Sequence, residues 1–190
     1  MDADRFERVE VASAAALRDW LAARPGRSQG VWLVTFKKAV PDKYVSREAV
    51  LDALLAFGWV DGRRKALDAT RTMQLITPRR TEAWAQSYKD RAARLIEDGR
   101  MAPPGLAAIE ASKAAGLWDH WSDVDALIDP PDLTQALRQV GATQRWAEAA
   151  PSYRRNVLRW IKLAKTEPTR AKRIAAAAQA AAAGEKLPQM

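Results

Sequence analysis

The residue types most able to do chemistry lie in Phe57-Gly58-Trp59-Val60-Asp61-Gly62-Arg63-Arg64-Lys65 and, a short way on, Thr77-Pro78-Arg79-Arg80. Aromatic rings, one acid and several cations are crowded into two short stretches. Exposed charges add little to stability, so the crowding points to a surface built to bind something. Guanidinium groups take phosphate or carboxylate bidentately, and an indole offers a stacking face. If residues 59–67 form a regular strand, alternation puts Trp59, Asp61, Arg63 and Lys65 on one face, an aromatic-acid-cation strip completed by Arg79 and Arg80. The structural alternative has Asp61 pairing with Arg63 or Arg79 to orient a hairpin, with Trp59 in the core. Sequence leaves both open.

A second concentration of charge lies at the C-terminal end, where residues 151–190 hold nine Lys/Arg against two Asp/Glu, out of a net charge of +8 for 190 residues. Arg154, Arg155, Arg159, Arg170, Lys172 and Arg173 there are candidates for clamping a polyanion, nucleic acid included. The alternative is a solvated outer face whose long stems cover apolar surface. Tyr153 and Trp160 share an apolar helical stripe, which favours that alternative.

Other chemistries are thinly provided. With no cysteine and one histidine, thiolate catalysis, disulfides and the usual multi-His or Cys zinc centres have no ligands. His120 is the only side chain with an ordinary pKa near neutrality, and no Gly-x-Ser-x-Gly elbow accompanies it. Asp61 and Asp68 do not read as a carboxylate pair, and no glycine-rich phosphate loop occurs. No catalytic residue, metal or cofactor is expected. Met1 to Glu10 lacks the apolar core of a signal peptide and no run approaches a membrane span, so the expected location is the cytoplasm.

The elements that must position these groups can be read from periodicity and punctuation. Ser13 precedes a helix over 14–24 that stops at Pro25-Gly26, and residues 31–36 read as a central strand. Ser46 caps a second helix that ends at Gly58. Strands at 59–67 and 71–77 flank the loop Asp68-Ala69-Thr70. Thr81 caps a helix to about Asp98, and Pro103-Pro104 opens another that ends near Gly116. Residues 118–131 carry four aspartates and two prolines without periodicity, as in a linker. Helices follow at 132–140, 142–149, 151–165 and 167–183. The fold class is therefore α+β: a small antiparallel sheet of about three strands covered by helices (1–117), the linker (118–131) and a basic helical module (132–190).

Several stretches in this order resemble the YdeI/OmpD-associated family, also called bacteriocin-protection proteins. They include Val31-Trp32-Leu33-Val34 with Lys37-Lys38, Phe57 to Gly62, Gln74 with Thr77-Pro78-Arg79, Gly99-Arg100-Met101, Pro151-Ser152-Tyr153-Arg154-Arg155, Trp160-Ile161 and Thr169 to Ile174. The resemblance runs from Val31 to about Ile174. It implies a bacterial cytosolic protein linked to resistance against cationic antimicrobial peptides and bacteriocins. This chain departs from it after Trp84, where Ala85 replaces the usual Ser and Tyr88 stands at an Asn position.

The expected function is a non-enzymatic, stress-response binding protein that takes an anionic small molecule or acidic partner through Trp59, Asp61, Arg63, Lys65, Arg79 and Arg80. Nucleic-acid binding through the C-terminal helices, or an enzyme on a small anionic metabolite with Asp61 as acid/base, are the alternatives.

Overall fold

The computed structural model describes residues 6–188. The chain divides into two compact units, Met1–Asp119 and His120–Met190.

The first unit is built on a four-stranded mixed sheet in the order β1-β2-β4-β3, from β1 (Arg8–Glu10), β2 (Val31–Phe36), β3 (Trp59–Ala66) and β4 (Arg71–Pro78). The three antiparallel strands expected from the sequence are β2, β4 and β3. The fourth, β1, pairs parallel to β2 and was not legible. Three residues with Val9 alone turned inward are too short to carry a period.

Helix α1 (Ala14–Ala22) follows β1, with the Ser13 hydroxyl accepting from the Ala16 N–H, and buries Leu17 and Leu21. Helix α2 (Arg47–Ala56) is capped in the same way by Ser46 and buries Val50 and Leu54. These side chains meet Val31, Leu33, Trp59 and Ile76 from one face of the sheet to form its main core. At ~1.5–3 kcal/mol per fully buried large aliphatic, this layer is the main term holding the sheet to its helices. The other sheet face carries a smaller cluster of Trp32, Val34 and Met73.

Helices α3 (Gln86–Glu97) and α4 (Pro103–Ala114) complete the unit. The expected cap at Thr81 is not used, because the chain stays irregular until Ala85. Trp84 is fully buried and Ser112 Oγ donates to the Glu82 carbonyl, so tertiary contacts hold residues 81–85 out of the helix.

The second unit holds α5 (Ser122–Asp125), α6 (Pro131–Gln139), α7 (Thr143–Glu148), α8 (Pro151–Lys162) and α9 (Glu167–Ala183). Its core gathers Val124, Leu133, Leu137, Trp146, Val157, Ile161 and Ile174. Residues 118–131 therefore include α5, and Val124 within it is a core residue.

Candidate anion-binding site

Gly58 organises one end of the sheet. Its φ of +70° is a left-handed conformation, and a Cβ there would sit 2.8 Å from the Pro104 carbonyl oxygen. Its own carbonyl accepts from the Arg79 N–H at 2.8 Å, joining the start of β3 to the end of β4. Around this junction lies a cavity of about 250 Å³ lined by Phe57, Trp59, Pro78, Arg79, Arg24 and Arg27 among others, with no acidic side chain among the described residues of its wall. Trp59 is 5% exposed and meets Trp20 edge-on at 5.7 Å. It is part of the core with one side on the cavity, not the open stacking platform expected. Arg24 and Arg27 flank Pro25-Gly26, which sequence reasoning used only as a helix stop. Their signal was a pair of cations straddling a tight turn.

The strip expected on one face of β3 is split in two. Asp61 pairs with Ile76 but Arg64 pairs with Gln74, so a bulge lies between them. The extra residue shifts every later side chain to the opposite face. Gly62 suits the bulge, since a Cβ there would approach the Leu75 carbonyl oxygen to 3.1 Å. Trp59 and Asp61 stay on the helix-covered face. Arg63 and Lys65 cross to the other, lying 5.5 and 4.7 Å from the Trp32 ring centroid. Arg80 is exposed and borders a separate cavity of about 490 Å³ beside Phe6, Val60 and Thr77. Of the six residues, the structure brings together Trp59 and Arg79 at the cavity, with Asp61 behind them.

Arg79 is the unusual group. Its side chain is 3% exposed, and it forms an ion pair from Nη1 to Glu82 Oε1 at 2.9 Å. The guanidinium lies 4.3 Å from the Trp84 ring centroid and 4.9 Å from that of Tyr88. Nε and Nη2 are buried without a hydrogen-bond partner among the described residues, as is the neighbouring indole Nε1 of Trp84. Burial pushes the Arg79 pKa below its ordinary value, against the pull of Glu82. A buried cation with unused donors favours an anion beside it.

Asp61 is engaged elsewhere. Tyr88 Oη donates to Oδ1 and Gln74 Nε2 donates to Oδ2 at 3.1 Å. Burial, and then the bond to this carboxylate, push the Tyr88 pKa up to about 12. Tyr88, the departure from the expected Asn, thus ties α3 to β3 and supports the Arg79 guanidinium with its ring.

Residues 9–108, more than half the chain, match the family described as Domain of unknown function (DUF8412). Residues 126–184 match that described as Bacteriocin-protection, YdeI or OmpD-Associated. The chain belongs to the DUF8412 family and carries a YdeI/OmpD-associated segment. The cavity lies in the DUF8412 part, while the resemblance read from the sequence is shown over a shorter and more C-terminal stretch than Val31 to Ile174. No curated protein and no solved structure matches the chain.

In the YdeI/OmpD-associated segment and the residues before it, the basic helices are matched by aspartates. Arg154 pairs with Asp129 at 3.2 Å, Arg159 and Arg155 with Asp125 at 3.1 and 3.8 Å, and Arg170 reaches Asp132 at 2.6 Å. Arg173 donates Nη1 to the Trp160 carbonyl. Five of the six candidate cations are thus engaged within the unit, four by aspartates and Arg173 by a backbone carbonyl. Three of the four aspartates read as a linker signal in sequence, Asp123, Asp125 and Asp129, pair with cations of α8.

His120 offers its carbonyl to Lys162 and packs its ring edge-on to Trp121 at 4.5 Å. Among the described residues no group of three His, Cys, Asp or Glu side chains is placed to hold a metal ion, and no helix is long and apolar enough to cross a membrane.

These pairs make the second unit acid-sensitive. The Arg170 hydrogen bond holds Asp132 below the usual carboxylate range. At Asp123 burial acts upward, but bonds from Lys162 and the Val124 N–H outweigh it and the pKa is again lowered. A folded pKa below the unfolded value near 3.9 means the stabilisation is present above that pH and is lost as pH falls through the folded values. Urea midpoints are expected to hold from neutrality to about pH 5 and then drop. Asp132→Asn should reduce the drop, and an equal drop in that variant would remove Asp132 from the account.

Proposed function

We propose that this is a non-enzymatic cytosolic binding protein of the bacteriocin- or antimicrobial-peptide-resistance kind, which holds a small anion at the cavity between Trp59 and Arg79. The observation that carries the reading is the Arg79 guanidinium, with Nε and Nη2 buried and without a hydrogen-bond partner among the described residues, in a residue that lines the cavity together with Arg24 and with Arg27, itself paired with Glu7 at 2.8 Å. The cavity lies near the small end of the roughly 300–1,000 Å³ usual for ligand sites, which suits a compact anion. The resistance role is supported by the description of the family that residues 126–184 match. The enzyme alternative is disfavoured because both Asp61 oxygens already accept hydrogen bonds.

The test is calorimetric titration of the purified full chain with inorganic phosphate and with citrate, beside Arg79→Met. Saturable binding is expected with a Kd of about 1 mM or tighter, equivalent to about −4 kcal/mol, and a loss of at least about tenfold in the variant. Methionine fills the slot between Trp84 and Tyr88 without a buried charge, so stability should stay within about 1 kcal/mol. Cells relying on Arg79→Met should also lose protection in a bacteriocin challenge. Absence of anion binding by the wild type would return Arg79 to a purely structural role.

A further inference from the structure

The ion pairs of the second unit sort its cations, and two of those outside the pairs, Lys172 and Arg173, share a groove. Arg154, Arg155, Arg159, Lys162 and Arg170 each pair with an aspartate. Lys172 is exposed and forms no ion pair or hydrogen bond among the described residues. It borders a groove of about 680 Å³ between α8, α9 and the segment at Leu187, with Trp160, Pro168, Arg173 and Ala176 also in the wall. Among the described residues no acidic side chain lines it. The Arg173 guanidinium stands 5.1 Å from the Trp160 ring centroid, so cation and apolar surface lie side by side.

We infer that this groove docks an acidic, partly apolar peptide segment of a partner protein, with apolar side chains against Trp160 and Leu187 and carboxylates on Lys172 and Arg173. Charge complementarity selects that occupant, since every ionisable group in the wall is a cation and one has no partner of its own. Trp and Arg beside an apolar floor are the residue types that anchor peptide interfaces. Nucleic acid fits less well. A duplex needs a long run of free cations, and the helices' other arginines are already paired. Phosphate contacts at Lys172 and Arg173 alone give a log-log salt slope of only about −1.8, at about −0.9 per contact.

The experiment uses the full chain and a fluorescein-labelled peptide of two central leucines flanked on each side by glutamates, followed by anisotropy and by amide chemical shifts. Saturable binding is expected, with shifts concentrated at Lys172, Ala176 and Leu187. Lys172→Glu should weaken binding at least about tenfold, or about 1.4 kcal/mol. Lys165→Glu is the control, because Lys165 is also exposed and lies outside the groove wall. Equal weakening in both variants would show general charge attraction and overturn the inference. So would shifts elsewhere, no saturable binding, or displacement of the peptide by duplex DNA with a salt slope steeper than about −3. The outcome is independent of the Arg79 cavity, which Lys172→Glu leaves untouched.

Discussion

Gly58→Ala is expected to lower the unfolding free energy by about 2–5 kcal/mol. The left-handed φ costs a Cβ-bearing residue about 1–2 kcal/mol, and forcing a methyl into a filled space adds about 1–3 kcal/mol. The space is filled by backbone: Pro104 O would be 2.8 Å and Pro104 C 3.3 Å from the new carbon, so no side-chain rotation relieves the clash. Gly99 separates the two terms, since it has a φ of +64° with nothing within 4 Å of its Cβ position. Gly99→Ala should cost only the conformational term, about 1–2 kcal/mol. Urea melts at constant m-value give the comparison. If both alanine variants lose the same amount, α4 does not press on Gly58 as described. Because Gly58, Pro104 and Arg79 frame the cavity, Gly58→Ala should also weaken anion binding, while Gly99→Ala should not.

The second large effect is expected at Asp129, where Trp146 Nε1 donates to Oδ2 at 2.9 Å and Arg154 Nη2 lies 3.2 Å from the same oxygen. Asp129→Ala leaves an arginine with little solvent contact unpaired, along with a buried indole N–H. Breaking one side of a buried pair costs about 3–5 kcal/mol and an orphaned donor about 1–3 kcal/mol, and these overlap, so about 3 kcal/mol is expected for the whole. Asp129→Asn keeps an acceptor for Trp146 and should cost less. Combining Asp129→Ala with Arg154→Met should recover part of the loss, since the orphaned charge goes too. A loss under about 1 kcal/mol for Asp129→Ala would show that Arg154 is hydrated. It would then be available to a polyanion, and the nucleic-acid alternative would regain its clamp.

The family segment carries its charge in an economical way when these pairs are counted together. The acids lie in and just ahead of α5 and α6 and the bases on α8 and α9, so most of the basic surplus of residues 151–190 is countered within the unit. What remains uncountered, Lys172 above all, is the part of the charge open to a partner.

Local rules carried the secondary structure. Ser13 and Ser46 cap where side chains that accept from the third N–H onward predict, Gly58 and Gly184 turn left-handed at helix ends, and the prolines at 103, 151 and 168 stand in first turns. Each depends on a handful of neighbouring residues, and so did the α+β reading. β1 escaped because three residues hold no period, and the start of α3 escaped because Trp84 is fixed by tertiary burial.

The candidate site was legible in its residue types but not in its geometry. A single inserted residue at Gly62 moved Arg63 and Lys65 across the sheet, and period-two alternation turns one such insertion into a change of face for everything after it. Arg79 and Arg80 are adjacent in sequence and chemically alike, yet one is sealed between Trp84 and Tyr88 and the other is exposed. Only the packing of α3 and α4 against the strand ends decides which. Asp123, Asp125 and Asp129 read as loop composition because their basic partners are roughly 25 to 40 residues away, where no local pattern reaches. Sequence by itself determined most of the elements, β1 and α5 excepted, and which chemical groups they carry. Tertiary structure alone decided which of those groups are neutralised and which are left free to bind, because charge pairing and burial depend on distances between segments that the chain brings together only by folding.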